Sequence, residues 1–121
     1  MSMTVLAVDD SRTIRDMLNY TLSQAGMTTH LAEDGEHGLE MLAQVTPDVI
    51  ITDINMPRLD GFGFIDAVRA QDAYQGLPIL VLTTESSSDL KARARNAGAT
   101  GWIVKPFDPE KLVKALQIVA G

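Results

Sequence analysis

The chain has 121 residues, no cysteine, and ten Lys plus Arg against sixteen Asp plus Glu, a formal charge of −6. This length suits a single domain over residues 1–121 with one core, and the acid excess argues against a nucleic-acid backbone or an anionic membrane as the main partner. Lack of cysteine excludes disulfides and thiolate metal sites, no apolar run nears the roughly 20 residues that span a bilayer, and Met1 to Val8 carry no secretion signal, so a soluble cytoplasmic protein is expected.

The elements alternate along the chain. Val5 to Val8 reads as a buried first strand. Ser11 then caps a helix with the apolar stripe Ile14, Met17, Leu18, Leu22 and Ala25, closed by Gly26. Met27 to Ala32 mixes Thr28, Thr29 and His30 with apolar residues, which suits a strand at a sheet edge. Glu36 to Gln44 forms a second helix around Leu39, Met41 and Leu42, and Pro47 precedes a third strand from Val49 to Ile51. After a turn from Pro57 to Gly61, a third helix is marked by Phe62, Phe64, Ile65 and Val68. Pro78 opens a fourth strand through Ile79 to Leu82, and Ala92 to Ala97 belongs to a fourth helix ended by Gly98. Trp102 to Val104 is the fifth strand, and the last helix, Pro109 to Val119, buries Leu112, Val113, Leu116 and Val119. The pattern is α/β, a doubly wound five-stranded parallel sheet. Right-handed crossovers and an edge-like second strand favour the order 2-1-3-4-5, the flavodoxin-like (βα)5 arrangement, whose switch point lies between strands one and three.

Four apolar runs stop at residues suited to handling a phosphoryl group: Asp9-Asp10, Thr52-Asp53, Thr83-Thr84 and Lys105. In a parallel sheet the carboxyl ends of the strands face one way, so these residues converge on one crevice. Three carboxylates there repel by roughly 4 kcal/mol per pair at about 4 Å and an effective dielectric of about 20, which calls for a cation between them.

Asp9-Asp10, Asp53 followed by Met56-Pro57 and Asp60-Gly61, Thr83, and Lys105-Pro106, in this order and spacing, resemble a response-regulator receiver domain from Val5 to Leu116. Within that family the chain looks most like the single-domain, CheY-type chemotaxis regulators, since no output domain follows in the 121 residues. The resemblance implies a cis peptide before Pro106 and a Mg2+ site with Asp10 and Asp53 as direct ligands, Asp9 as an outer ligand through water, and Asn55 as a ligand through its backbone carbonyl. Hard oxygen donors with open positions suit that ion. It implies Asp53 as the nucleophile and phosphoacceptor, Lys105 as a point charge on a phosphate oxygen that otherwise holds Asp53, and a Thr83 hydroxyl on another oxygen. Asn55 and Glu85 would tune access of water to the acyl phosphate, so autodephosphorylation in seconds to minutes is expected. The implied phosphodonor is a histidine kinase of the CheA type, with a flagellar motor switch protein or a phosphatase as further partners. A monomeric signalling module is expected rather than an enzyme with an external substrate.

Trp102 departs from the family, which commonly carries a tyrosine there that turns inward as the threonine moves toward the phosphoryl group. Thr83 and Trp102 are therefore the expected moving parts, and the fourth helix, fifth strand and fifth helix the affected surface. Six of the ten Lys and Arg lie between Lys91 and Lys114, whereas residues 30 to 60 are rich in acids and hold only Arg58. Docking and simple solvation both account for that basic region. Plainer readings exist for each residue: Asp9 and Asp10 as helix caps, Thr83 as a strand residue, Lys105 as a loop lysine and Trp102 as a core aromatic. Gly61 and Gly98 answer to backbone geometry, and His30 and His37 are expected at the surface, leaving the phosphodonor histidine to the partner. A haloacid-dehalogenase-like phosphatase would need a second aspartate where Asn55 stands, and a flavodoxin-like cofactor binder would need small residues where Asp9-Asp10-Ser11-Arg12 stands. A receiver fragment of a transcription regulator, or a phosphate sink in another two-component pathway, would share the same chemistry.

Overall fold

Val5, Leu6, Ala7 and Val8 are all buried, as a strand covered on both faces requires. In the computed structural model, which describes residues 3–120, they form β1 (Thr4–Val8). Residues 1, 2 and 121, the outer limits of the expected 1–121 domain, lie outside the described residues. The remaining elements are α1 (Arg12–Gln24), β2 (Thr28–Ala32), α2 (Gly35–Leu42), β3 (Val49–Thr52), α3 (Gly61–Arg69), β4 (Ile79–Thr83), α4 (Ser88–Ala97), β5 (Gly101–Val104) and α5 (Pro109–Ala120). A short 3-10 turn, Asp72–Tyr74, follows α3 and has too few residues to show any periodicity in the sequence. All strands pair in parallel, in the order β2-β1-β3-β4-β5. The switch point therefore lies where the sequence places it.

Several boundaries move, each for a capping reason. Asp34 is the N-cap of α2, with Oδ1 accepting from the His37 N–H at 2.8 Å, so the helix begins at Gly35 rather than Glu36; it ends at Leu42, short of Gln44. Ser87 caps α4 by accepting from the Leu90 N–H at 3.4 Å, which starts that helix at Ser88, well before Ala92. Ser11 caps α1 as expected, but only Leu18 and Leu22 of its stripe are buried, whereas Met17 is 43% exposed. Leu18 and Leu22 are four residues apart on one line, and Met17 sits about 100° around the helix from that line. On α5, Leu112 and Leu116 are buried while Val113 and Val119 are only half-buried.

The expected single core is divided by the sheet. Leu6, Val8, Ile50, Ile79 and Val81 pack with α2, α3 and α4 around the wholly buried Phe64. Val5, Ala7, Val49, Ile51, Leu80 and Leu82 pack on the other face with α1 and α5. This is the two-residue alternation of a strand buried on both sides. Phe64→Ala would cost about 3–5 kcal/mol, the usual range for emptying such a site. By contrast, α4 buries only Ala94 completely. Polar contacts make up for this: Arg69 donates to the Gly98 carbonyl from Nε at 3.1 Å and from Nη2 at 2.7 Å, and the Arg93 guanidinium stacks 3.9 Å from the Phe62 ring centre.

Asp34, wholly buried at the head of α2, also accepts a hydrogen bond from the Arg58 guanidinium. Burial raises its carboxyl, but the His37 N–H and Arg58 outweigh burial and hold it below the ordinary aspartate range. A lowered folded-state value means the stabilisation is complete above the unfolded value, about 3.9, and is lost as pH falls through the folded value. Asp34→Asn keeps a capping oxygen without the charge. Its urea midpoint is expected to lie below the parent's at neutral pH and to meet it in strong acid; a gap of constant width would show that the charge contributes nothing.

Candidate functional site

The register of β1 against β3 sets Val8 opposite Thr52, so the residues that follow, Asp9 and Asp53, stand side by side. Their backbones continue the ladder: the Asp53 N–H donates to the Val8 carbonyl and the Asp9 N–H to the Ala32 carbonyl, each at 3.0 Å. On the other side, Thr83 pairs with Val104, and the Lys105 N–H donates to the Thr83 carbonyl at 2.8 Å. Strand parity then decides which side chains meet. Asp9, Asp53 and Lys105 are in phase with Ala7, Ile51 and Ile103 on the α1 and α5 face, whereas Thr83 is in phase with Val81 and pairs into the face that holds Trp102.

Lys105 Nζ lies 2.8 Å from Asp9 Oδ2 and 2.9 Å from Asp53 Oδ2, with its side chain only 10% exposed. Burial alone would lower the ammonium, but hydrogen bonds and charge from the two carboxylates prevail and raise it above an ordinary lysine. For Asp9 the balance runs the other way. Its burial is the largest effect and raises the carboxyl, and the bonds from Lys105 and from the Ser11 N–H offset this only in part. Asp53 Oδ1 accepts from the Ile54 N–H at 2.6 Å, which leaves Oδ2 directed at the lysine. Asp10 is exposed, and one carboxylate oxygen from each of Asp9, Asp10 and Asp53 lies within 4.8 Å of the other two. That oxygen-only donor set can hold a hard cation with coordination positions left open.

Neighbouring residues hold this geometry. Arg15 Nη1 donates to the Asp9 carbonyl at 2.8 Å, and the Thr52 hydroxyl donates to the Asp53 carbonyl at 2.8 Å. The Gly61 N–H donates to the Ile54 carbonyl at 2.8 Å, and a Cβ at residue 61 would collide with the Asp53 carbonyl and the Ile54 backbone. Only glycine lets α3 begin against the Asp53 loop. Lys105–Pro106 is a cis peptide.

The other expected site residues are joined to one another through Glu85, just after β4. Thr83 is wholly buried, and its hydroxyl accepts from the Glu85 N–H at 3.4 Å. Asn55 Nδ2 donates to Glu85 Oε1 at 3.3 Å, joining the loops after β3 and β4. Trp102 is half-buried against the core, and its indole N–H donates to the Glu85 carbonyl at 3.0 Å. Ser11 is the cap of α1, and Asp9 instead accepts from the Ser11 N–H at 2.9 Å, so neither aspartate is that helix's N-cap. His30 and His37 are half-buried rather than on open surface, and His37 Nδ1 accepts from the Glu33 N–H at 3.1 Å. Sequence reasoning missed the Asp9–Lys105 contact, although strand parity carries the signal for it. It also missed Arg15, which no motif marks.

An acidic crevice at the switch point of a doubly wound sheet, bridged by a lysine just beyond the last strand, lies where open α/β domains of this strand order bind their ligands. Residues 5–117 match the family described as response regulator receiver domain, and the chain belongs to that family, the receiver module of two-component systems. Chemotaxis protein CheY1 of Helicobacter pylori is 38% identical over 123 residues, covering 98% of each chain. Crystallised CheY4 of Vibrio cholerae is 50% identical with a TM-score of 0.94, covering 98% of this chain and 99% of that one. Response regulator MprA of Mycobacterium ulcerans is 40% identical over 97% of this chain, which spans 50% of that relative's length. No described helix is long and apolar enough to cross a membrane.

Removing the Lys105 ammonium leaves two buried carboxylates facing each other. Lys105→Met is expected to lose about 1–3 kcal/mol, less than the roughly 3–5 of a fully buried pair because the lysine keeps some solvent. Millimolar MgCl2 should recover part of that loss in urea titrations. A variant as stable as the parent without added cation would show that Lys105 does not offset the repulsion.

Proposed function

We propose that this chain is a phosphoacceptor that takes a phosphoryl group from a histidine kinase of the CheA type onto Asp53, with Mg2+ as cofactor. The observation that carries the reading is the Lys105 ammonium held between Asp9 and Asp53 beside the third carboxylate, Asp10. Asp10, Asp53 and the Asn55 carbonyl would hold the ion directly. Asp9, whose Oδ2 is engaged by Lys105, would act through water. When bound, the ion would supply positive charge that offsets the carboxylates and an incoming phosphoryl group. Asp53 Oδ2 is the nucleophile: as its bond to phosphorus forms, the bond from phosphorus to the donor's imidazole nitrogen breaks, and the electron pair stays on that nitrogen. Lys105 then exchanges the Asp53 oxygen for a phosphoryl oxygen, and the Thr83 hydroxyl, which accepts from the Glu85 N–H, turns to donate its own hydrogen bond to another. Water later attacks phosphorus, Asp53 leaves as a carboxylate, and phosphate departs. Asn55 and Glu85, joined across the loops beside Asp53, tune how readily that water arrives.

The same chemistry supports an output surface on α4, β5 and α5, the region where the basic side chains gather. The full-length similarity to CheY1 and CheY4, both chemotaxis proteins by name, favours a cytoplasmic, monomeric chemotaxis regulator over residues 1–121 whose partners are a flagellar motor switch protein or a phosphatase. A haloacid-dehalogenase-like phosphatase fits less well, because the second position after Asp53 offers an amide already bonded to Glu85 instead of an acid.

Incubation with Mg2+ and a small acyl phosphate should add one phosphoryl group to the parent and none to Asp53→Asn, and the adduct should decay within seconds to minutes. Equal uptake by Asp53→Asn would overturn the assignment, and persistence for many hours would overturn the tuning roles of Asn55 and Glu85. A second measurement reads the proposed switch. Beryllofluoride, which stands in for the phosphoryl group on Asp53, should shift Trp102 emission to shorter wavelength with Mg2+ present, and Thr83→Ala should abolish that shift while the complex still forms. An equal response in Thr83→Ala would make Trp102 an ordinary core residue.

A further inference from the structure

Arg58 stands in left-handed backbone at φ 65, a conformation that Cβ-bearing residues seldom adopt and glycine or asparagine tolerates better. Its side chain nevertheless reaches across to the turn between β2 and α2. There it hydrogen-bonds Asp34 Oδ2, and its Nη2 lies 3.3 Å from Glu33 Oε1. The Asp34 side chain is only 1% exposed, and its other oxygen is committed to capping α2. A carboxylate so enclosed needs a donor on both oxygens, and Arg58 supplies the cationic one. The backbones of the two loops also touch: the Gly35 N–H donates to the Leu59 carbonyl at 3.1 Å, and a Cβ on Gly35 would stand 2.5 Å from that oxygen.

This junction bears on the site because the loop after β3 is pinned at two places. Gly61 holds Ile54 at one end, and Arg58 with Leu59 holds the turn against α2 at the other. Asn55 lies exposed between them. On the far side of the junction, Asp34 comes two residues after Ala32, whose carbonyl accepts the Asp9 N–H. The clamp therefore connects the loop carrying Asp53 and Asn55 with the strand end that aligns Asp9.

We propose that Arg58 is a positioning residue for the ion-binding crevice: clamped to Asp34, it fixes the loop after β3 and so sets how tightly the site takes Mg2+. The proposal rests on the phosphoacceptor reading, in which Asn55 offers its carbonyl to the ion. Partners one step removed from a metal ligand typically alter affinity about 10–100-fold, and a clamp acting through the backbone belongs at the lower end.

The test titrates Mg2+ calorimetrically into the full chain and follows exchange of the Gly35 amide without metal. Arg58→Ala should bind Mg2+ about tenfold more weakly. Arg58→Gly, which relieves the backbone but lacks the cation, should do the same, whereas Arg58→Lys should keep most of the affinity. Asp34→Asn should match Arg58→Ala, and the double variant should be no weaker than either single one, as expected for partners in one contact. Gly35 exchange should quicken in every variant that loses affinity. Parent-like Mg2+ binding in Arg58→Ala or Arg58→Gly overturns the proposal, including where Gly35 exchange quickens, since Arg58 is then a structural clamp alone. A parent that takes up no Mg2+ overturns the phosphoacceptor reading itself, and the proposal with it.

Discussion

Two carboxylates held side by side at the end of a buried sheet are the constraint on which the rest of this structure depends. The ladder between β1 and β3 leaves Asp9 and Asp53 no freedom to separate, and Asp10 adds a third charge at the rim. Among the described residues, Lys105 is the ammonium placed between them. Three ionised carboxylates against one ammonium leave the crevice two negative charges in excess, which is the charge of one divalent cation with the sign reversed. A phosphoryl group arriving on Asp53 would bring negative charge back. The lysine and the ion are then both needed, since each close opposite-charge contact is worth only a few kcal/mol at the effective dielectric of such a crevice. The fold does not balance its own site. It holds the site in a state that a divalent cation would complete.

Charge chemistry and the proposed switch occupy opposite phases of the same strands. Asp9, Asp53 and Lys105 follow the α1 and α5 phase, while Thr83 and Trp102 belong with the α3 and α4 phase. In the proposed switch, a signal from Asp53 would have to cross the sheet edge, and Glu85 is placed where it could do so. Its N–H is bonded to Thr83 at 3.4 Å, its carbonyl to the Trp102 indole at 3.0 Å and its side chain to Asn55 at 3.3 Å. The Thr83 bond is the longest of the three and the easiest to give up. Next to this junction lies α4, which has a single fully buried residue and is otherwise held by arginine contacts. Such an element can shift without opening a cavity, unlike α3, where Phe62, Phe64, Ile65 and Val68 are all buried.

Most of the fold was legible in the sequence because its signals are strong and local. Near-continuous Val, Ile and Leu runs fix the strands, Ser11 fixes the start of α1, and the polar residues of β2 mark it as an edge. Asp9, Asp10, Asp53 and Lys105 meet at the carboxyl edge because parallel strands point their ends one way, while Thr83 is in phase with the opposite layer. What escaped depends on tertiary geometry. A helical stripe does not say how wide the contact with the sheet will be, so Met17 read as core yet is exposed. A continuous apolar strand looks alike on both faces, so two cores read as one. Arg58 looked like an isolated charge in an acidic stretch, because its partner Asp34 is 24 residues away and the backbone turn that aims it has no sequence signature.

Placing such a site at strand ends separates its instability from the material that opposes it. Each fully buried Leu or Ile contributes about 1.5–3 kcal/mol, and a dozen of the largest fully buried side chains lie within the two layers rather than at the carboxyl edge. The repulsion of roughly 4 kcal/mol per carboxylate pair is thus small beside the core, but it is local, and the core cannot relieve it. Only charges at the edge can. That is why the contacts around the crevice are ionic or made through backbone groups, with Lys105 on Asp9 and Asp53, Arg15 on the Asp9 carbonyl and Arg58 on Asp34. Three basic side chains, from the loop after β5, from α1 and from the loop after β3, hold an edge that the apolar layers cannot hold for them.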